Sequence, residues 1–292
     1  MVLVLLVVLG VLATLLIAVL LKTASARGQL RPNFEAIGLG AVTNFLDTLG
    51  IGSFAPTTAY LKMRRLVPDS FLPATLNTGH ALPTVVQALI FIQLIQVDPV
   101  LLIACIVAAV IGATVGTSMV VRVPLRAVQG VVGLAMVIAA VLYALTNLGL
   151  LPGGGQALAL GGWLFVLAVA AHLLLGVLMS FGIGLYAPSL ILLSLMGLNP
   201  TAAFPIMMGA CAFLMPVSGM RFVRSDRIDL RVVLGLAIGG IPAVLLAAYV
   251  VKSLPLATLR WGVVAVVLYA ALLLLRAAFV PEKPASVVGE TA

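Results

Sequence analysis

Asp47 stands inside an apolar run, with Asn44 three residues before it, so on a helix the two share one face. At the centre of a bilayer a carboxylate costs about 2.5–3.5 kcal/mol on insertion scales, so Asp47 is expected to face a cavity or a partner. Two roles fit it equally: handling a proton or cation, or capping the glycine-rich turn that follows. Asn77 and His80 repeat the three-residue spacing in the next apolar run. His80 titrates near neutral pH and can accept a proton or donate to an anion, while a packed histidine bonded to a neighbouring helix is the plainer reading. His172 is expected near a membrane edge in a structural role.

Between these residues lies a break. Gly50-Ile51-Gly52-Ser53-Phe54-Ala55-Pro56-Thr57 returns as Gly182-Ile183-Gly184-Leu185-Tyr186-Ala187-Pro188-Ser189, 132 positions later (182 against 50). Glycine frees the backbone and proline removes a donor, so a continuous helix is not expected through either stretch. The N–H groups exposed there, with the hydroxyls of Ser53, Thr57, Thr58, Ser180, Tyr186 and Ser189, would hold a mono- or dianionic oxyanion without a charged side chain. The plainer reading of the small residues is close helix approach. The expected substrate-binding set is Asn44, Gly50, Gly52, Ser53, Thr57, Asn77, His80, Gly182, Gly184, Tyr186 and Ser189, with Asp47 and His80 as the coupling or proton groups. Catalytic residues, metal ligands and cofactors are not expected.

The elements that must position these residues come as a duplication. Residues 50–73 and 182–205 share nine identities in 24, including Pro68 with Pro200 and Pro73 with Pro205, and Pro124 matches Pro255 at a displacement of 131 (255 against 124). The expected organisation is an extra helix and linker (1–33), a first repeat (34–148), a linker (149–165), a second repeat (166–279) and a tail (280–292). Paired Gly/Pro breaks in duplicated apolar segments point to a transporter site.

Composition sets the medium. The 292 residues are 63% apolar and 8% charged, against roughly 45–50% and about 25% in soluble domains, and apolar runs long enough to span a bilayer succeed one another. The fold class expected is an all-α polytopic membrane protein. Plain spans fall at about 71–95, 99–121, 126–148, 201–220, 232–251 and 258–279 after the first at 1–21, giving seven crossings plus two broken segments, or 8–9 spans if the broken segments cross. If each broken segment is a re-entrant hairpin, 14 of the 16 Lys and Arg lie on one side, leaving Lys252 and Arg260 opposite. That bias follows the positive-inside rule, and it makes the second repeat inverted relative to the first.

The net charge of +8 belongs to these short loops, which argues against a nucleic-acid partner. Ala24-Ser25-Ala26 resembles a signal cleavage site, but no basic start precedes it and Lys22, Arg27 and Arg31 follow, so an uncleaved span is expected. Cys105 and Cys211 lie in apolar stretches and read as buried small hydrophobes. The tract from Ser218 to Arg231 reads as a cytoplasmic loop with Arg221 as an anchor at its edge. No nucleophile triad, zinc spacing or phosphate loop is present, so the chain is not expected to be an enzyme.

The paired Gly-Ile-Gly and Ala-Pro segments, Pro73 and Pro205, the Gly112-Ala113 stretch with Gly116, and the Pro124/Pro255 pair resemble the sulfite exporter TauE/SafE family, also called the toluene sulfonate uptake permease family. The resemblance covers nearly all of the chain after residue 34. It implies a secondary transporter moving sulfite, sulfoacetate or other organosulfonates across the plasma or inner membrane, in the export direction, by alternating access. An anion channel and a membrane assembly factor are the rival readings. The partners implied are a small sulfur-containing anion, the lipid bilayer and, as an open option, a second copy in a homodimer. The first break, from Asp47 to Phe54, is poorer in glycine than the commoner family pattern. Neither cysteine lies at a repeat break in sequence, which disfavours thiosulfate uptake.

Overall fold

The computed structural model describes residues 2–119, 125–150, 155–180, 183–224, 227–253 and 256–279. Twelve α-helices fill the described residues, with one isolated bridge, Ala157 to Leu198, in place of any strand. They are α1 (Val2–Ala26), α2 (Phe34–Thr48), α3 (Phe54–Arg64), α4 (Leu72–Gly79), α5 (Ala81–Leu94), α6 (Pro99–Met119), α7 (Leu125–Asn147), α8 (Gly162–Ser180), α9 (Tyr186–Leu195), α10 (Pro200–Val223), α11 (Leu230–Ser253) and α12 (Leu256–Phe279). Six of them, α1, α6, α8, α10, α11 and α12, contain a window long and apolar enough to cross a membrane. The protein is therefore a polytopic helical membrane protein.

Local chemistry sets the helix ends. Asn33 accepts the N–H of Ala36 to start α2, and Asn199 accepts the N–H of Thr201 ahead of Pro200 at the start of α10. Asp98 accepts from Leu101 N–H at the start of α6, and Asp229 accepts from Arg231 N–H at the start of α11. These two aspartates stand 131 apart (229 against 98), so the duplication extends to its caps.

Helix pairing follows the duplication too. The first helix of each copy packs on the last but one of the other, α2 on α11 and α8 on α6, while α5 packs on α10 and α7 on α12. Glycine makes the two reciprocal crossings close: a Cβ on Gly239 would collide with the carbonyl of Ile37, and one on Gly112 with the carbonyl of Leu173.

Two sequence expectations need correction. The span expected over 71–95 is two helices, because Pro83 has no N–H to offer the carbonyl of Gly79 and the chain turns at His80 between α4 and α5. The tract expected to be a loop from Ser218 is helical as far as Val223, the end of α10. Among the described residues six helices contain a window of spanning length, and one of them, α8, precedes the second Gly-Ile-Gly segment. Arg122, Pro124, Pro255 and the tail from 280 lie outside the described residues.

Candidate functional site

The first break is a tight turn between α2 and α3; of the second, Ile183 onward is described. At the first, Gly50 and Gly52 take φ of 92° and 88°, a region costly for side chains with a Cβ. Ile51 N–H donates back to Leu46 O at 3.1 Å, and its equivalent Ile183 N–H donates to Leu178 O at 3.3 Å. The second arm then returns to where the first began. Arg64 Nε lies 2.6 Å and Tyr60 Oη 2.8 Å from Glu35 Oε1, joining the end of α3 to the first turn of α2. After α9, Asn199 N–H donates to Ala157 O at 2.8 Å, just before α8.

The two breaks meet in the protein interior. A Cβ on Gly184 would lie 3.9 Å from the Cβ of Phe54, and one on Gly50 would lie 3.1 Å from Leu190 on α9. Around this junction the polar side chains form two chains of hydrogen bonds. In the first, Ser53 N–H donates to Asp47 Oδ1 at 2.5 Å, and Gln87 Nε2 donates to Asp47 Oδ2 and to Thr48 Oγ1, both at 2.9 Å. Gln87 Oε1 accepts the Tyr186 hydroxyl at 2.5 Å. A single glutamine thus bridges the first break to the second.

In the second chain, Asn44 Nδ2 donates to Gly40 O, so its Oδ1 accepts from His80 Nδ1 at 3.1 Å. With that nitrogen protonated, Nε2 of the neutral imidazole accepts from Thr57 Oγ1 at 3.0 Å. The second copy repeats the last bond with a different partner. His172 Nδ1 donates to Ala168 O, and Nε2 accepts from Ser189 Oγ at 2.9 Å. Thr57 and Ser189 are repeat equivalents (189 against 57), yet His80 follows its break and His172 precedes its own. His172 is 1% exposed and lies in mid-helix, with both ring nitrogens bonded.

Most of the residues expected from sequence come together here: Asn44, Asp47, Gly50, Gly52, Ser53, Thr57, His80, Gly184, Tyr186 and Ser189. Asn77 stands apart from them: its Nδ2 turns back to Pro73 O on its own helix. Gly182 and the Ser180 side chain lie outside what the structure describes. Asp47 does cap the turn, and both of its oxygens are engaged. Cys211 is not remote from the breaks: its Sγ lies 3.7 Å from Met179 Sδ, the residue that holds Asp47's place in the second copy. Gln87 and Thr48 were missed. An amide in the middle of an otherwise apolar span was the signal for Gln87, and its partners, 39 and 40 positions away, gave no local pattern.

The α2/α11 crossing explains how Asn44 fits. A Cβ on Gly240 would sit 2.5 Å from Asn44 Nδ2, whereas at the equivalent place on α8 Gly176 packs directly on the backbone of Ala109. An open groove of about 770 Å³ lies elsewhere, between the start of α1 and the loop after α5, lined by Leu6, Gln93, Gln96 and Asp98.

A duplicated bundle of membrane-length helices with two interrupted segments meeting at a buried polar junction is the architecture of a membrane transporter. Residues 164–290 match the family model described as Sulfite exporter TauE/SafE, which takes in α8 to α12. The family resemblance read from the paired segments is thereby found in the second copy, in a family of exporter-type membrane transporters. No curated protein and no solved structure matches the chain.

Proposed function

We propose that this protein is a secondary transporter of small sulfur oxyanions, sulfite, sulfoacetate or another organosulfonate, exporting them across the plasma membrane by alternating access. The two copies, 34–148 and 166–279, form an inverted repeat, and α2/α3 and α8/α9 are its re-entrant hairpins. The observation that carries the reading is the junction of the breaks, where Phe54 meets Gly184 and Gln87 ties Asp47 to Tyr186. The return of α3 to Glu35 and of the chain after α9 to Ala157 supports the hairpins. The reciprocal pairing of α2 with α11 and α8 with α6 supports the inversion.

The oxyanion sits between the breaks, where the first turns of α3 and α9 direct N–H groups inward. In the described conformation Ser53 N–H and the hydroxyls of Thr57, Tyr186 and Ser189 are bonded within the protein, so the substrate takes over some of these donors as the path opens. Asp47 is the coupling group, because a buried carboxylate bonded only to neutral donors must gain a proton or lose stability when the site changes shape. Uptake of labelled sulfite and sulfoacetate into proteoliposomes, with and without an imposed pH gradient, tests this. Saturable, gradient-driven flux is expected. No flux of either anion under any gradient would sink the substrate assignment, and unsaturable fast flux would mean a channel.

A further inference from the structure

The Gln87 carboxamide has its two ends on different copies. Nε2 places one hydrogen on Asp47 Oδ2 and the other on Thr48 Oγ1, and Oε1 accepts the only hydrogen of the Tyr186 hydroxyl. Every group in this arrangement is satisfied, provided Asp47 carries no proton. A proton arriving on Asp47 Oδ2 would face an N–H hydrogen, donor against donor. A half-turn of the amide removes the conflict, because its oxygen and nitrogen ends are nearly equal in size. Oε1 then accepts from the Asp47 carboxyl and from the Thr48 hydroxyl, whose hydrogen turns away from Asn44 O, and Nε2 donates to Tyr186 Oη. The tyrosine hydrogen, displaced from Gln87, is free for another acceptor.

We infer that Gln87 is a two-position relay through which protonation of Asp47 in the first copy releases the Tyr186 hydroxyl to donate to the oxyanion at the second break. This deepens the oxyanion-carrier reading and rests on it. In the balance, one proton enters on Asp47, the Gln87 amide rotates, the Thr48 hydroxyl turns from Asn44 O to Gln87 Oε1, and the Tyr186 hydroxyl turns from Gln87 to the anion with its hydrogen still on the tyrosine oxygen. Proton and anion therefore bind together. Tyr186 contacts the anion, and Gln87 is a positioning residue that acts through it. By linkage, the anion strengthens proton binding by the same factor as the proton strengthens anion binding.

The ionisable side chains in electrostatic reach of Asp47 are Tyr186 on α9 and Cys211 on α10. At the ordinary values of their groups both keep their protons below about pH 8. Asp47 faces the N–H and side chain of Ser53 from the start of α3, the Gln87 amide from α5 and the Tyr186 hydroxyl from α9, which also meets Thr84 of α5; all of these are neutral donors. His80 stands behind Asn44, and His172 behind Ser189, and the Asp47→Asn arm below separates them from Asp47.

The test is binding of ethanesulfonate, whose own charge is constant from about pH 5 to 8, to the full purified chain in lipid nanodiscs. Calorimetry in buffers of different ionisation enthalpy reads both affinity and proton uptake. In the wild type, affinity should rise as pH falls, approaching tenfold per pH unit with one proton taken up. Asp47→Asn presents an N–H to Gln87 Oε1 as the protonated acid would, so it should bind tightly at every pH with no proton uptake. Gln87→Met should flatten the pH dependence at the weak, alkaline level, and Tyr186→Phe should lose about tenfold or more in affinity at low pH only. Wild-type proton uptake surviving in Gln87→Met would overturn the relay, as would binding that is pH-independent in the wild type. Failure of both ethanesulfonate and sulfite to bind at any pH would overturn the oxyanion reading beneath it. The opposite signs expected for Asp47→Asn and Gln87→Met keep the outcome readable if one variant folds poorly.

Discussion

The two broken segments share a backbone and differ in how their second arms are held. On α3, Ser53, Thr57, Tyr60 and Arg64 recur at spacings of four, three and four, so they form one stripe, and they meet Asp47, His80 and Glu35. The equivalent positions on and beside α9 are Leu185, Ser189, Leu192 and Met196, with Ser189 the one polar member. Accordingly α9 is buried along nearly its whole length, while α3 carries its burial at Phe54, Thr57 and Leu61 and leaves Met63 71% exposed. Polar contacts can be exchanged for water at a net cost near 1 kcal/mol each, whereas exposing packed aliphatic side chains costs about 25 cal/mol per Å². The two copies thus hold their second arms by different contacts, polar along α3 and apolar along α9.

The sharpest way to break this comparison is at the aspartate. Asp47→Leu leaves Ser53 N–H and Gln87 Nε2 unmet at about 1–3 kcal/mol each, so flux in proteoliposomes should fall by at least about 100-fold. Met179→Leu, at the equivalent position, should change flux by less than about twofold. Equal losses from both would mean that the breaks are interchangeable.

Next in size is the crossing that makes room for Asn44. Gly240→Ala drives a methyl group to 2.5 Å from Asn44 Nδ2, and thermal unfolding should register a loss of about 1–3 kcal/mol. Ala109→Gly at the reciprocal crossing removes a methyl group instead and should cost about 1 kcal/mol or less, mainly helix propensity. An unchanged melting point for Gly240→Ala would show that Asn44 is not confined there.

Thr57→Val and Ser189→Ala each remove a hydroxyl from a histidine. Each should cost about 1 kcal/mol, and nitrogen NMR should show the freed Nε2 of His80 or His172 losing its hydrogen bond while Nδ1 stays protonated. A tautomer switch in either variant would contradict the bond order derived from Asn44 and Ala168. The smallest effect belongs to Glu35→Gln. The Arg64 partner is 55% exposed, so stability should scarcely move. Amide exchange should nevertheless speed up in α3 and not in α9. Equal protection of the two arms would remove the distinction drawn between them.

Much of the helical architecture was legible because apolar run length and Gly/Pro interruption are local properties. The expected runs over 99–121, 126–148 and 201–220 correspond to Pro99–Met119, Leu125–Asn147 and Pro200–Val223. The split at His80 was legible in principle, since Pro83 marks it, but Pro205 and Pro216 lie within an unbroken α10. Proline alone does not decide; the packing around it does. In the site, the three-residue spacings identified Asn44 with Asp47 on one face, yet the same rule paired Asn77 with His80, and only His80 is bonded into the polar junction. Cys211, distant from a break in sequence, lies beside Met179 near the end of α8.

By itself the sequence determined the medium, the duplication, the places where the helices break and the side chains rich enough in hydrogen-bonding groups to matter there. Each of these is written in composition or in spacing along one chain. Only the tertiary structure decided which of those groups satisfy one another: that Thr57 and Ser189 both choose a histidine, that Asp47 is held by Ser53 and Gln87, and that Gln87 reaches Tyr186 in the other copy. The reason is physical. A buried polar group must find a partner wherever the packing of helices brings one, and that proximity is fixed by the crossings at Gly239 and Gly112, not by distance along the chain.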